Sequence, residues 1–173
     1  MNRAGVLALA LCGGAALAQG QSDWERQQDE RLRQLDEQAV PAPAYDARRW
    51  VPIEVAAAGD FRYYVDPETV SVGADRIVRY VVLARSAGGA QNIRFEGIRC
   101  PDEYRIYAVA RSEDGAWSGR PTAWRAIPAD PRSIQNTLRR HFFCPARRAI
   151  ETAAEGRGAV LGGGHPAQAI GPR

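Results

Sequence analysis

The 173-residue chain contains no lysine. Apart from two histidines, its side-chain cations are 23 arginines, whose planar guanidinium suits bidentate contact with carboxylates and oxyanions. Of the histidines, His141 stands beside Phe142-Phe143 and His165 in a glycine-rich stretch. No His, Cys or carboxylate pair shows a metal-ligand spacing. The glycine pairs lack the strand-to-helix setting of a phosphate-cradling loop, and no serine sits in a nucleophile-elbow pattern. Catalysis needs a base with a nucleophile or a metal, so we assign no catalytic residue, no metal site and no cofactor. Long apolar runs are missing too. Val6 to Leu17 is about 12 residues, short of the ~20 that span a bilayer as a helix, which leaves no transmembrane segment in the mature chain.

That short run reads instead as the core of a signal peptide over residues 1–18. Arg3 supplies the positive start and Ala16-Leu17-Ala18 the small-x-small cleavage site, so the mature chain should begin at Gln19 in the periplasm. A lipid-modified Cys12 would call for a small residue before it, where Leu11 stands. Cleavage removes one of three cysteines and leaves Cys100 and Cys144, the number a single bridge needs in an oxidising compartment. Each ends an apolar run (Phe95–Cys100 and His141–Cys144) and is followed by proline, which neither donates to a ladder nor continues a helix. A strand ending at Cys100 and a helix ending at Cys144, joined by a disulfide, is the organising expectation.

Residues 19–46 read as an acidic arm. Ser22 and Glu25 make a capping-box signature for a helix running to Ala39, and Val40-Pro41-Ala42-Pro43-Ala44 reads as a stiff linker. Such an arm is a solvated spacer, or it contacts a partner or folds back on its own basic domain.

The α+β domain is expected over 47–155. Its segments are Trp50–Val55, Phe61–Val65, Thr69–Val72 after a turn at Asp66-Pro67-Glu68, Arg76–Ser86, Asn92–Cys100, Glu103–Arg111 and Ala123–Ile127. Arg76–Ser86 is apolar on both faces and belongs at the centre of the sheet. Short turns between consecutive strands argue an antiparallel meander. Asp130-Pro131 should start a helix whose Ile134, Leu138 and Phe142 pack on the sheet. A weaker helix over Ala146–Glu155 and a disordered glycine-rich tail over 156–173 complete the reading. The fold class is thus α+β, an antiparallel β-sheet meander covered by a C-terminal helix, with one disulfide.

Several runs resemble the cryptic-neisserial-protein-like family of exported proteobacterial proteins. They are Tyr64-Val65-Asp66, Arg79-Tyr80, Gly89-Ala90-Gln91-Asn92, Phe95 to Cys100, Tyr107-Ala108, Trp117, Trp124 and Phe143-Cys144. The resemblance spans Trp50 to Pro145 and implies export and architecture but no activity. More distantly, the order of elements is similar to the surface-adhesin protein E group, associated with host matrix proteins and haem; no binding residue carries over.

Two features remain as candidate binding groups. Glu96 lies inside a strand, where it either pairs across strands with an arginine such as Arg79 or Arg105, or faces a ligand groove. Arg139, Arg140, Arg147 and Arg148 fall in a stretch, Pro131 to Ala149, that holds no acid. They form a candidate anion patch, and export argues against nucleic acid. The expected function is a non-enzymatic exported envelope or binding module whose partner is an envelope protein or ligand. The alternative is a small-ligand (haem-like) or host-matrix-binding protein.

Overall fold

The computed structural model describes residues 22–33, 35–56, 58–113 and 115–168. The expected signal peptide, Cys12 and the Gln19 cleavage point lie outside them. Short turns between apolar segments fold the chain back on itself as β1 (Val51–Ile53), β2 (Phe61–Val72), β3 (Ile77–Ser86), β4 (Gln91–Arg99), β5 (Glu103–Ala110) and β6 (Arg125–Ala126). They form one antiparallel sheet in chain order, the expected meander. β3 is central and buried on both sides. Val78, Tyr80 and Val82 enter one core, and Val81 and Leu83 enter a second core on the opposite face.

The expected turn at Asp66-Pro67-Glu68 is instead a bulge inside one continuous strand. The β2–β3 register passes from Asp66 opposite Val81 to Ser71 opposite Arg79. Pro67 cannot donate to a ladder, and a bulge is where a strand tolerates that. The Thr69 hydroxyl accepts from Val81 N at 2.9 Å and donates to Asp66 O at 2.6 Å, replacing the ladder bonds lost there.

C-terminal helices cover the first core. α1 (Asp23–Arg33) precedes the sheet, while α2 (Ile134–Leu138) and α3 (Ala153–Leu161) follow it. The cap of α2 is Ser133, whose hydroxyl accepts from Asn136 N at 3.2 Å, and not Asp130. Asp130 instead closes a local turn by accepting from Arg132 N at 2.9 Å. Ile134, Leu138 and Phe142 are buried as their spacing requires. α2 then widens into a π turn over Arg139–Phe143, closed by Cys144 N donating to Arg139 O at 3.1 Å. The wider turn buries Phe143 together with Phe142 and sets the Phe143 ring 5.1 Å from that of Tyr80. It delivers Cys144 to Cys100, with which it forms the disulfide at a Cα–Cα distance of 5.8 Å.

The expected helix over Ala146–Glu155 begins later, at Ala153, capped by the Thr152 hydroxyl accepting from Glu155 N at 3.1 Å. It continues into the stretch expected as a disordered tail. Gly156 is buried between helix and sheet, where a Cβ would come within 2.5 Å of Ile150 Cδ1 and 2.6 Å of Val70 Cγ1. Gly163, at φ +73°, ends the helix in the left-handed conformation that glycine adopts without penalty. Gly156 thus serves close packing and Gly163 a helix stop.

The second core is closed by the segment expected as a linker. α1 ends at Arg33, and residues 37–50 then run across the sheet. Ala42, Tyr45 and Trp50 pack on Val81, Leu83, Ile93 and Phe95, with Trp117 closing from the β5–β6 connection. Trp117 Nε1 donates to Pro43 O at 2.9 Å, and Arg49 pairs with buried Asp66 at 2.8 Å. The sheet is therefore sandwiched between helices and an N-terminal strap that packs on it from near Glu37 onward.

Candidate functional site

Of the four arginines singled out above, three come together. The π turn projects Arg139 and Arg140, and the next turn, Pro145–Arg147, returns Arg147 to the same place. They line a concavity of about 330 Å³ with Pro101, Cys144 and Gln168, and among the described residues none of its walls carries a carboxylate. Cys144, part of the lining, is tied to the end of β4 by its bridge to Cys100. Arg139 is held by neutral acceptors, Asn136 Oδ1 at 2.8 Å and Pro101 O at 3.4 Å, and its buried Nε finds no partner among the described residues. Burial first, then the neighbouring Arg140, lowers the Arg139 pKa from its ordinary value, against a smaller opposing pull from the charge of Asp102. The same two causes lower that of His141.

Arg148 leaves the group. Ala146 and Arg147 both sit at positive φ, +48° and +65°, so the chain reverses between Cys144 and Arg148. Arg148 lines two neighbouring hollows, one shared with Asp75 and Glu151, the other shared with Arg147 and with Glu25 and Asp29 of α1. Asp29 approaches Arg147 at 3.8 Å, and Arg147 contributes to lowering the Glu25 pKa behind the hydrogen bonds from Ser22. The acidic helix thus folds back along the rim of the basic patch, one of the readings its charge allowed.

Glu96 faces no groove and pairs with neither Arg79 nor Arg105. Its side chain is fully buried beneath α2. Arg94 Nε donates to it at 2.6 Å, the Tyr80 hydroxyl at 2.9 Å, and the Gln135 side-chain amide at 3.1 and 3.0 Å to its two oxygens. Burial, then the Glu96 charge, pushes the Tyr80 pKa well up. The Glu96 charge raises the Arg94 pKa despite burial. With donors on β3, β4 and α2, the carboxylate fastens helix to sheet. It stands apart from the three arginines.

A second polar system escaped the sequence reading because its members lie far apart in the chain. Glu37 accepts from Arg105 at 2.6 Å, the Tyr107 hydroxyl at 2.7 Å and Trp124 Nε1 at 3.1 Å. Beside it Arg79, fully buried, pairs with Asp75 at 2.6 Å, donates to Gln38 O at 3.0 Å and lies 5.5 Å from the Tyr107 ring centre. Burial opposes charge on Glu37 and Asp75, yet these hydrogen bonds outweigh it and hold both carboxyls below their ordinary values. Opposite Arg79 stands Gly97, where a Cβ would meet the Tyr107 ring at 2.7 Å. The glycine of the Glu96-Gly97-Ile98-Arg99-Cys100 run is therefore the gap into which Tyr107 fits. The system binds the strap to the sheet.

Among the described residues no helix is long and apolar enough to cross a membrane. The model of the CNP1-like family matches residues 28–158, and the chain belongs to that family. No curated protein and no solved structure matches it.

Proposed function

We propose that this member of the CNP1-like family is an exported, non-enzymatic binding module of the cell envelope that meets an anionic ligand or partner on Arg139, Arg140 and Arg147. The observation that carries the reading is the convergence of three guanidinium groups on one concavity whose described walls hold no acid. Like charges brought together are costly where their counter-charges lie only at the rim, as Asp29 does at 3.8 Å from Arg147, and an anion relieves that cost. Guanidinium is also the cation best shaped for carboxylates and phosphates. Export rests on the Arg3-to-Ala18 signal pattern, and the Cys100–Cys144 bridge suits an oxidising compartment.

The test is retention of mature protein on a sulfated-polysaccharide matrix developed with salt. The double variant Arg139→Gln/Arg140→Gln should elute at clearly lower salt than wild type. Arg62→Gln/Arg120→Gln, which removes two exposed arginines elsewhere, should shift elution far less. Equal shifts would mean net charge alone drives retention and would overturn the reading. A Soret change on adding hemin, insensitive to the Arg139 and Arg140 substitutions, would favour the haem-like alternative instead.

A further inference from the structure

We infer that the concavity bounded by Pro101, Arg139, Arg140 and Arg147 is a site for a phosphate-type oxyanion, the phosphate group of a small ester or lipid headgroup. The inference rests on the anion-binding reading above and narrows it to one chemistry. Four features of the site point that way.

Arg139 is preorganised. Its terminal nitrogens are tethered to Asn136 Oδ1 and Pro101 O, neutral acceptors that fix the guanidinium plane without cancelling its charge. Arg140 is exposed, and Arg147 pairs at the rim with Asp29 of α1 at 3.8 Å. Three positive charges therefore address one space, which matches a multiply charged oxyanion better than a single carboxylate.

The backbone that carries Arg147 is held in an unfavourable state. Two consecutive non-glycine residues at positive φ are uncommon, and their position at the rim of the charge cluster ties the conformation to that cluster. In an ordinary helical continuation Arg147 would not return toward Arg139.

Size decides between a bare ion and a larger ligand. At about 330 Å³ the concavity exceeds what one phosphate fills, leaving room beside Gln168 for the group the phosphate is attached to. The floor formed by Pro101 and Cys144 is neutral and does not itself demand charge.

α1 supplies the fourth feature. Its acids lie along the same rim, with Asp29 nearest Arg147, so the chain already places weak carboxylate competitors beside the site. An oxyanion with more charge and better geometry displaces them.

The experiment is calorimetric titration of the mature, disulfide-bonded protein with inorganic pyrophosphate, glycerol 3-phosphate and sodium acetate at matched ionic strength, together with flotation on vesicles of phosphatidylcholine with and without phosphatidic acid. We expect saturable binding of a phosphate compound, none of acetate, and about tenfold weakening in Arg139→Gln or Arg140→Gln, the loss of one charge-assisted hydrogen bond. Arg148→Gln should bind as wild type does. Flotation with phosphatidic acid that is sensitive to Arg140→Gln identifies the lipid source, whereas binding of glycerol 3-phosphate without flotation identifies a soluble ester. Removing residues 19–33 should strengthen binding in either case. Circular dichroism and melting of each variant show that it is folded. Acetate binding as strong as that of the phosphates, or phosphate binding untouched by Arg139→Gln and Arg140→Gln, overturns the inference. Retention on the sulfated matrix that depends on Arg139 and Arg140, with no phosphate compound bound, leaves an anion-binding module whose ligand is not a phosphate.

Discussion

Glu37 and Tyr107 stand 70 residues apart in sequence and 2.7 Å apart in space, the tyrosine hydroxyl donating to the carboxylate. Arg105 and Trp124 bind the same carboxylate, so the strap is anchored before it crosses the second core. Glu37→Ala would strip the acceptor from three partly buried donors, at a cost of about 1–3 kcal/mol. Melting temperature should fall by several degrees. Deleting residues 19–35 should change it little, because that cut spares the anchor. Deleting through Ala44 should lower it severely by uncovering the second core. Limited proteolysis should accordingly cut ahead of Glu37, and a first cut between Val40 and Tyr45 would contradict the anchored strap.

Acid should act on the same system. Glu37 and Asp75 have folded-state pKa values below their unfolded ones. Their contribution to stability is thus fully present above about pH 4–5, where both are ionised even when unfolded, and is lost as pH falls through the lower folded values. Melting temperature measured from pH 6 downward should therefore drop on the acid side. Asp75→Asn should be less stable at pH 6 and show a shallower acid dependence. A parallel acid limb in the variant would exclude Asp75 as a source of the slope.

The bridge and the central place of β3 were legible in the sequence for local reasons. Cys100-Pro101 and Cys144-Pro145 punctuate their elements, and β3 shows its burial as apolar residues on both alternating faces. The strap was not legible. Val40-Pro41-Ala42-Pro43-Ala44 has the composition of a linker, and what holds the segment is contacts such as Pro43 O to Trp117 and Gln38 O to Arg79, to which residue type gives no clue. Glycine misled in the same way at 156, where the missing Cβ admits Ile150 and Val70 instead of loosening the chain. The arginine cluster was half legible. An acid-free stretch named four arginines, but the reversal at Ala146 and Arg147 that separates Arg148 from the rest involves residues that do not advertise positive φ.

Glu96 separates a structural role from a binding one. Removing its carboxylate leaves Arg94 largely buried without its counter-charge and Gln135 and Tyr80 without an acceptor. Breaking a buried pair by removing one partner costs about 3–5 kcal/mol. Glu96→Ala should therefore lower the melting temperature strongly, with the loss concentrated in docking of α2. Below that lowered transition, retention on the sulfated matrix should match wild type. A large loss of retention in folded Glu96→Ala would place Glu96 in the binding surface after all.

The last prediction concerns Cys100 and Cys144, which join the end of β4 to the end of the π turn across 44 positions of sequence. Closing a loop of that size stabilises the folded state by about 4 kcal/mol on the chain-entropy account. A domain of this kind holds ~5–15 kcal/mol in all, so the bridge is a large share of the total. Both half-cystines are buried in the first core, at 6% and 4% exposure, so reductant should reach them only through opening of the C-terminal segment. Cys144→Ser should lower the melting temperature by more than about ten degrees, at a few degrees per kcal/mol for this size. Reduction should reproduce that loss, and Cys100→Ser/Cys144→Ser should be no less stable than either single variant, because one bridge is lost in every case. The same substitutions should weaken anion binding, since Cys144, in the lining beside Arg139, Arg140 and Arg147, is tied to β4 by the bridge. Non-reducing mass spectrometry of the protein isolated without reductant checks the premise directly. Two free thiols would remove the bridge, and with it the tie between β4 and the lining of the arginine site.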